Sequence, residues 1–259
     1  MRDLSGFATF ASMDRVLSGE VRRAVGRRLG VDVSAVEAVG WGVRHAFDHP
    51  LGPIRLIDPA HDDGGPGAEP DEAVHAALAQ MTSAEFEFWS LAGPAADFDQ
   101  MEFIDTAMRH RLGDGHVRDQ AALAAHLAEH APPGRFDDCV LAEWVHTLWP
   151  YFMAVAEELD VNPRLAIGPP PRGLHWLVED VPTAFTWCQL DQRLLRDRTY
   201  QWKQHDLNDM FALSMAAAYA DVIVTERHWA HHLRGTSVVR SRGVRVLSSL
   251  DDALREIPA

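Results

Sequence analysis

The chain has 259 residues, 47% of them hydrophobic and 24% charged, which is enough apolar material for a sizeable core and excludes a disordered polyelectrolyte. That length holds at most two domains. A net charge of -14 argues against a protein that coats nucleic acid by bulk electrostatics, and two cysteines without a C-x-x-C pair argue against a disulfide scaffold. Cys139 and Cys188 sit in apolar, helix-like sequence and read as buried, reduced thiols. Met1 leads into polar sequence rather than a signal peptide, and no apolar run reaches bilayer length. The chain is therefore expected to be cytoplasmic and to make no membrane contact.

Residues 1–48 read as helical. After Asp14, Val16, Leu17, Val25 and Leu29 follow helical spacing, and Gly30 stands where a C-cap would. Ser34, followed three residues later by Glu37, predicts a second helix through Trp41 to Phe47, weakened by Gly40 and Gly42. Ile54, Leu56 and Ile57 form an apolar run between prolines, and residues 62–67 mark a loop. Helical periodicity returns over 70–130, in pieces broken at Gly93 and Pro94 and around Gly113 and Gly115. Beyond Pro132, Pro133 and Gly134 a long amphipathic helix is expected over 137–159, carrying Val140, Leu141, Trp144, Val145, Leu148, Phe152 and Val155. The proline run within 168–173 reads as a stiff linker. It divides a mainly helical region over 1–168 from an α/β unit over 174–259, and the two can form one composite domain. No internal repeat is present.

The pattern changes after Pro182. A helix is predicted over 183–196, and a second over 206–220 that is apolar on nearly every face and therefore buried. Val222, Ile223 and Val224 are the β-branched core of a buried parallel strand. A short helix over 227–233, a strand over 243–248 and a last helix opening at Ser249 complete a β-α-β-α order, which makes the two strands parallel. The expected fold class is helix-rich α/β with a small parallel sheet.

Asp206 and Asp209, three apart at a helix start, share a face. Thr225 ends the following strand and Glu226 stands immediately behind it. Ligands of open parallel sheets bind beyond the carboxyl ends of the strands. Carboxylates gathered there suit Mg2+ or Mn2+, which can polarise a phosphodiester and generate hydroxide from bound water. Capping is the competing use of the same residues, with Asp206 as an N-cap, Asp209 in the first turn and Glu226 as a solvated strand-end charge.

The stretch from His205 to Asp209, the small-residue helix after it and the run from Ala220 to Glu226 resemble the C-terminal motif region of PIN-like domains. In that family an acid opens a buried helix, and the next strand ends in Thr or Ser followed by a further acid. Asp209 falls on the helix-opening acid and Thr225 on the strand-end hydroxyl. Glu226 stands one place earlier than the usual final acid, and Asp206 is an additional acid. The resemblance covers about residues 182–258. It implies a divalent-metal-dependent nuclease acting on RNA rather than DNA, with Asp206, Asp209 and Glu226 holding Mg2+ or Mn2+ and Thr225 orienting a ligand or water. Such domains also open with an apolar strand ending in an essential Asp and carry another acid on an early helix. Asp58 and Glu143, the latter on the inner stretch of the 137–159 helix, are internal substitutes that match poorly, and a missing N-terminal piece is the preferred explanation. The other function class is a non-catalytic scaffold that binds a protein or nucleic-acid partner.

Arg193, Arg196, Arg198, Lys203 and Arg234 form a candidate phosphate-facing rim, with solvated surface charge as the alternative. His228, His231 and His232 have the i, i+3, i+4 spacing of a zinc face but lack a glutamate between them or a nearby cysteine. The tryptophans read as core anchors rather than base-stacking platforms. No dinucleotide or P-loop fingerprint and no nucleophile elbow is present.

Overall fold

Helical periodicity in the sequence becomes helix through most of the described chain, which comprises residues 8–41, 45, 106–167 and 173–256 of the computed structural model. The elements are β1 (Ala8–Phe10), α1 (Met13–Leu29), β2 (Val39–Trp41), α2 (Thr106–His130), α3 (Phe136–Glu158), α4 (Pro163–Ala166), α5 (His175–Glu179) and α6 (Pro182–Leu194). They continue with α7 (Asp206–Tyr219), β3 (Val222–Val224), α8 (Arg227–Arg234), α9 (Ser237–Arg242), β4 (Arg245–Leu247) and α10 (Leu250–Glu256). Among the described residues the result is a helix-rich α/β fold with two two-stranded sheets. No described helix is long and apolar enough to cross a membrane. The expected apolar run at 54–57, the loop at 62–67 and Asp58 lie outside the described residues.

Two compact units emerge, one from Met1–Ser12 and Val39–Met108, the other from Met13–Ala38 and Arg109–Ala259. In the first, β1 and β2 pair antiparallel, with Thr9 opposite Gly40. This corrects the all-helical expectation for the N-terminal stretch. Val31, Val33 and Val36 have low helix propensity and residues 31–38 take no regular structure, while Val39–Trp41 pairs with Ala8–Phe10. Glu37 forms an ion pair with Arg15.

The second unit has two apolar clusters joined by α6. Leu17, Val21 and Val25 of α1, Leu148 and Phe152 of α3, Trp176 and Leu177 of α5, and Ala184 and Cys188 of α6 make the first. Leu190 and Leu194, on the next turns of α6, belong to the second, with Met210, Ala217, Ile223, Trp229, Leu233 and Val246. Cys188 is buried and Cys139 only half-buried, and both are free. Glu143 is exposed, which corrects its placement on the inner stretch of α3. Residues on that helix face solvent wherever the apolar stripe of Val140, Leu141, Leu148, Phe152 and Val155 does not reach.

Two acids that look unremarkable in sequence are buried in this layer. Glu20 of α1 accepts from the Thr183 backbone N–H at 3.0 Å, the Thr183 hydroxyl at 2.8 Å and the Tyr219 hydroxyl at 2.6 Å. It therefore caps the start of α6 from a different helix, where Val181 offers no side-chain cap. Asp191 of α6 accepts from Trp144 Nε1 at 2.9 Å through Oδ2, while its buried Oδ1 has no partner among the described residues. Burial pushes both carboxyls up, Asp191 to about 7.

β3 and β4 pair parallel, Ile223 opposite Val246, as the β-α-β order predicts. The turn from α9 into β4 uses Gly243 in the left-handed region (φ 68°), where its N–H closes back on the Arg240 carbonyl at 3.3 Å.

α2 runs unbroken through Gly113 and Gly115, against the expected interruption. Gly113 is needed for approach rather than for flexibility. A Cβ there would stand 2.9 Å from Gln204 Cβ and 3.1 Å from the Gln204 carbonyl, so the helix can lie against the segment entering α7 only without a side chain at that position.

Candidate metal centre

The chain enters α7 by turning on one carboxylate. Asp206 Oδ2 accepts the Lys203 backbone N–H at 2.7 Å and the Tyr200 hydroxyl at 2.9 Å, and the Asp206 N–H donates to the Lys203 carbonyl at 3.1 Å. Asp206 is thus the first helical residue, 2% exposed, and His205 occupies the N-cap without a side-chain cap bond. One turn on, half-buried Asp209 accepts from Trp229 Nε1 at 3.0 Å through Oδ2. Trp229, buried in α8, ties the start of α7 to the start of α8.

His205, Asp206 and Asp209 each offer one ligand atom within 4.8 Å of the other two. His205 Nε2 lies 3.9 Å from Asp206 Oδ1. The segment is anchored from α2, because Gln204 Nε2 donates to Asp114 Oδ1 at 2.6 Å and Gln204 Oε1 lies 3.1 Å from His110 Nδ1. No Lys or Arg forms an ion pair with Asp206 or Asp209 among the described residues.

Thr225 and Glu226 have different surroundings. Thr225 is half-buried and its N–H donates to the Leu247 carbonyl at 3.0 Å, which extends the parallel ladder to the carboxyl end of β3. Glu226 is the exposed N-cap of α8, with no side-chain cap bond, and its carbonyl accepts from Ala230. The fold brings Asp206 and Asp209 together with His205, while Glu226 stands outside that three-residue group.

An aromatic and imidazole layer borders the carboxylates. The Tyr200 ring stacks on His228 (5.4 Å, 7°) and meets Trp202 edge-on at 5.0 Å. Burial, and then Asp206, push the Tyr200 hydroxyl up, so it remains a donor. His228 is 4.6 Å from His232. Burial and the neighbouring His228 and His231 hold His232 down at about 4, so it is neutral at pH 7, with a buried Nδ1 that has no partner among the described residues. Burial also lowers His116, against the pull of Asp206, and its ring meets Trp202 at 5.5 Å. Among the described residues, the histidines of α8 do not join a metal-holding group.

Three of the rim cations are engaged within the fold. Arg193 donates to the Gly235 carbonyl at 2.7 Å, Arg196 pairs with Asp137 at 2.5 Å over the Phe136 ring, and Arg234 donates to the Val246 carbonyl at 2.8 Å. Arg198 and Lys203 are exposed and their side chains have no partner among the described residues. A cleft of about 500 Å³ opens beside Tyr200 and Trp202, with Leu127, Phe136, Arg196 and Arg198 in its walls.

Comparisons with protein-family models, with curated proteins and with solved structures give no match. The residues of the centre carry the reading alone. Sequence reasoning passed over His205, although it adjoins Asp206 and so was findable as a third donor. Trp229 and Tyr200 gave no signal, because their bonds to the carboxylates bridge separate segments.

Proposed function

We propose that this chain is a divalent-metal-dependent nuclease of PIN-like type acting on RNA. The observation that carries the reading is the convergence of His205, Asp206 and Asp209 at the head of a buried helix that leads into a parallel β-α-β unit. The donor set fits a divalent cation. Each carboxylate has one oxygen held by a protein donor, and among the described residues the other takes no hydrogen bond and neither is neutralised by Lys or Arg. Asp206 and Asp209 would hold Mg2+ or Mn2+, with Glu226 joining from the exposed start of α8 and Thr225 orienting a ligand or water. A bound divalent ion would supply Lewis acidity toward a phosphodiester and a more acidic water. The chain's own contribution is positional. Tyr200 and the Lys203 N–H fix the Asp206 carboxylate, Trp229 fixes Asp209, and the cleft beside Tyr200 gives a strand a place to lie, with Arg198 and Lys203 available to phosphates.

A second reading is favoured by one specific feature. The hydrogen bonds from Tyr200, Lys203 and Trp229 are those a helix entrance would use for capping and packing alone, and Glu226 faces solvent. A non-catalytic scaffold that binds a protein or nucleic-acid partner would keep these contacts.

The deciding experiment is Mn2+-dependent cleavage of single-stranded RNA by the wild-type chain and by Asp209→Asn, with thermal melts alongside. Cleavage that falls to background in a folded Asp209→Asn variant supports the nuclease. A folded wild-type chain that cleaves nothing with either ion leaves the scaffold.

A further inference from the structure

The geometry points to His205 as an ion ligand, which makes the centre a two-carboxylate, one-imidazole site for a first-row transition ion such as Mn2+ or Co2+ rather than Mg2+. This inference rests on the metal-centre reading above and adds to it the donor that selects the ion.

Three observations converge. His205 presents its ring within 4.8 Å of ligand atoms from both aspartates, and Nε2 lies 3.9 Å from Asp206 Oδ1. Two atoms bound to one ion at about 2.0–2.2 Å stand roughly 3–4 Å apart, so only a small closure is needed. The imidazole makes no hydrogen bond to another described residue, so a lone pair is available. Finally, both carboxylates are oriented from behind. Tyr200 and Lys203 donate to Oδ2 of the nearly inaccessible Asp206, and Trp229 donates to Oδ2 of Asp209, leaving one oxygen of each without a hydrogen bond among the described residues. Outer donors of this kind are how metal-binding carboxylates are held in place.

The ion class follows from the donors. Mg2+ prefers an all-oxygen octahedron and keeps its waters, so an imidazole gains little from it. Imidazole nitrogen strengthens binding along the order Mn2+, Fe2+, Co2+, Ni2+. Another imidazole in the neighbourhood, His116, meets Trp202 and has a buried Nε2 without a partner among the described residues, but it does not join the group.

The test is binding to the full chain without substrate, using Co2+ absorption between 500 and 650 nm (about the usual d–d window) and calorimetry with Co2+, Mn2+ and Mg2+. Wild type should give a Co2+ band and bind Co2+ and Mn2+ more tightly than Mg2+. His205→Ala, at an exposed side chain where folding is not at risk, should weaken Co2+ by about tenfold or more, shift the band and change Mg2+ binding less than about twofold. His231→Ala, on the exposed side of α8, serves as the control and should change nothing. If Asp209→Asn abolishes Co2+ binding while His205→Ala leaves affinity and band unchanged, the assignment of His205 is overturned and the metal centre stands. If Asp209→Asn leaves Co2+ binding intact, the metal centre itself fails. Equal weakening by His205→Ala and His231→Ala would mean non-specific histidine binding and would also overturn the assignment.

Discussion

The acids of the helical layer and those at the head of α7 share a residue type and differ in what their second oxygen meets. Glu20 is enclosed by Thr183 and Tyr219, and Asp191 has Trp144 on one oxygen and, among the described residues, no hydrogen-bond partner on the other, which is buried. For these groups burial dominates and favours the neutral form. Asp206 is as inaccessible as Glu20, yet it stands beside a second carboxylate and an exposed imidazole. The difference teaches that burial alone does not mark a site. Glu20 has its donors on both oxygens, whereas Asp206 is held through one oxygen beside a second carboxylate and an exposed imidazole.

Substitutions can break this comparison or sharpen it. The largest effect is expected at Glu20. Glu20→Leu strands the Thr183 N–H and two hydroxyls in the core and should cost about 3 kcal/mol or more in urea unfolding, whereas Glu20→Gln should recover much of it. A loss below about 1 kcal/mol for the leucine variant would show that Glu20 is not the cap of α6.

Asp191 comes next and is read by pH. Its folded pKa of about 7 lies above the ordinary carboxyl value of 3.8, so the folded state binds the extra proton. The stability tied to that proton is complete below pH 4 and is lost as pH rises toward and through 7. Asp191→Asn should therefore flatten the fall in the urea midpoint between pH 5 and pH 8 and be more stable than wild type at pH 8, by roughly 1–2 kcal/mol. Parallel pH profiles for the two proteins would place the proton elsewhere.

At the α7 centre, Trp229→Phe keeps the ring in the core and removes one donor. It should cost about 1 kcal/mol of stability and weaken Mn2+ binding by roughly tenfold, since Asp209 loses its orienting bond. Unchanged Mn2+ affinity would place Trp229 on the structural side of the comparison. The smallest effect is expected from Gly113→Ala. Improved helix propensity opposes the collision with Gln204, for a net loss of about 1 kcal/mol, read from thermal melts. A stabilised variant would mean that the segment before His205 can move aside.

Much of the second unit was legible because local periodicity and tertiary environment agree there. α3, α6, α7 and the β3–β4 pair lie where the apolar spacing and the Val222, Ile223, Val224 run placed them. The N-terminal stretch was not legible, since Ser34 and Glu37 signal a helix while residues 31–38 take no regular structure and Val39–Trp41 pairs as strand, and strand pairing depends on residues far away in sequence. Gly113 misled in the opposite direction, because a glycine required for close packing looks in sequence like a helix break.

The sequence by itself determined that Asp206 and Asp209 share one face at the start of a buried helix leading to a parallel strand, because helical spacing and β-branched runs are local properties. Only the tertiary structure decided which groups meet that face. His205 turns toward the carboxylates, Tyr200 and Trp229 hold them, and Glu226 points to solvent. Those outcomes depend on how α2, α7 and α8 approach one another, and side-chain packing between separate segments sets that approach rather than any spacing along the chain.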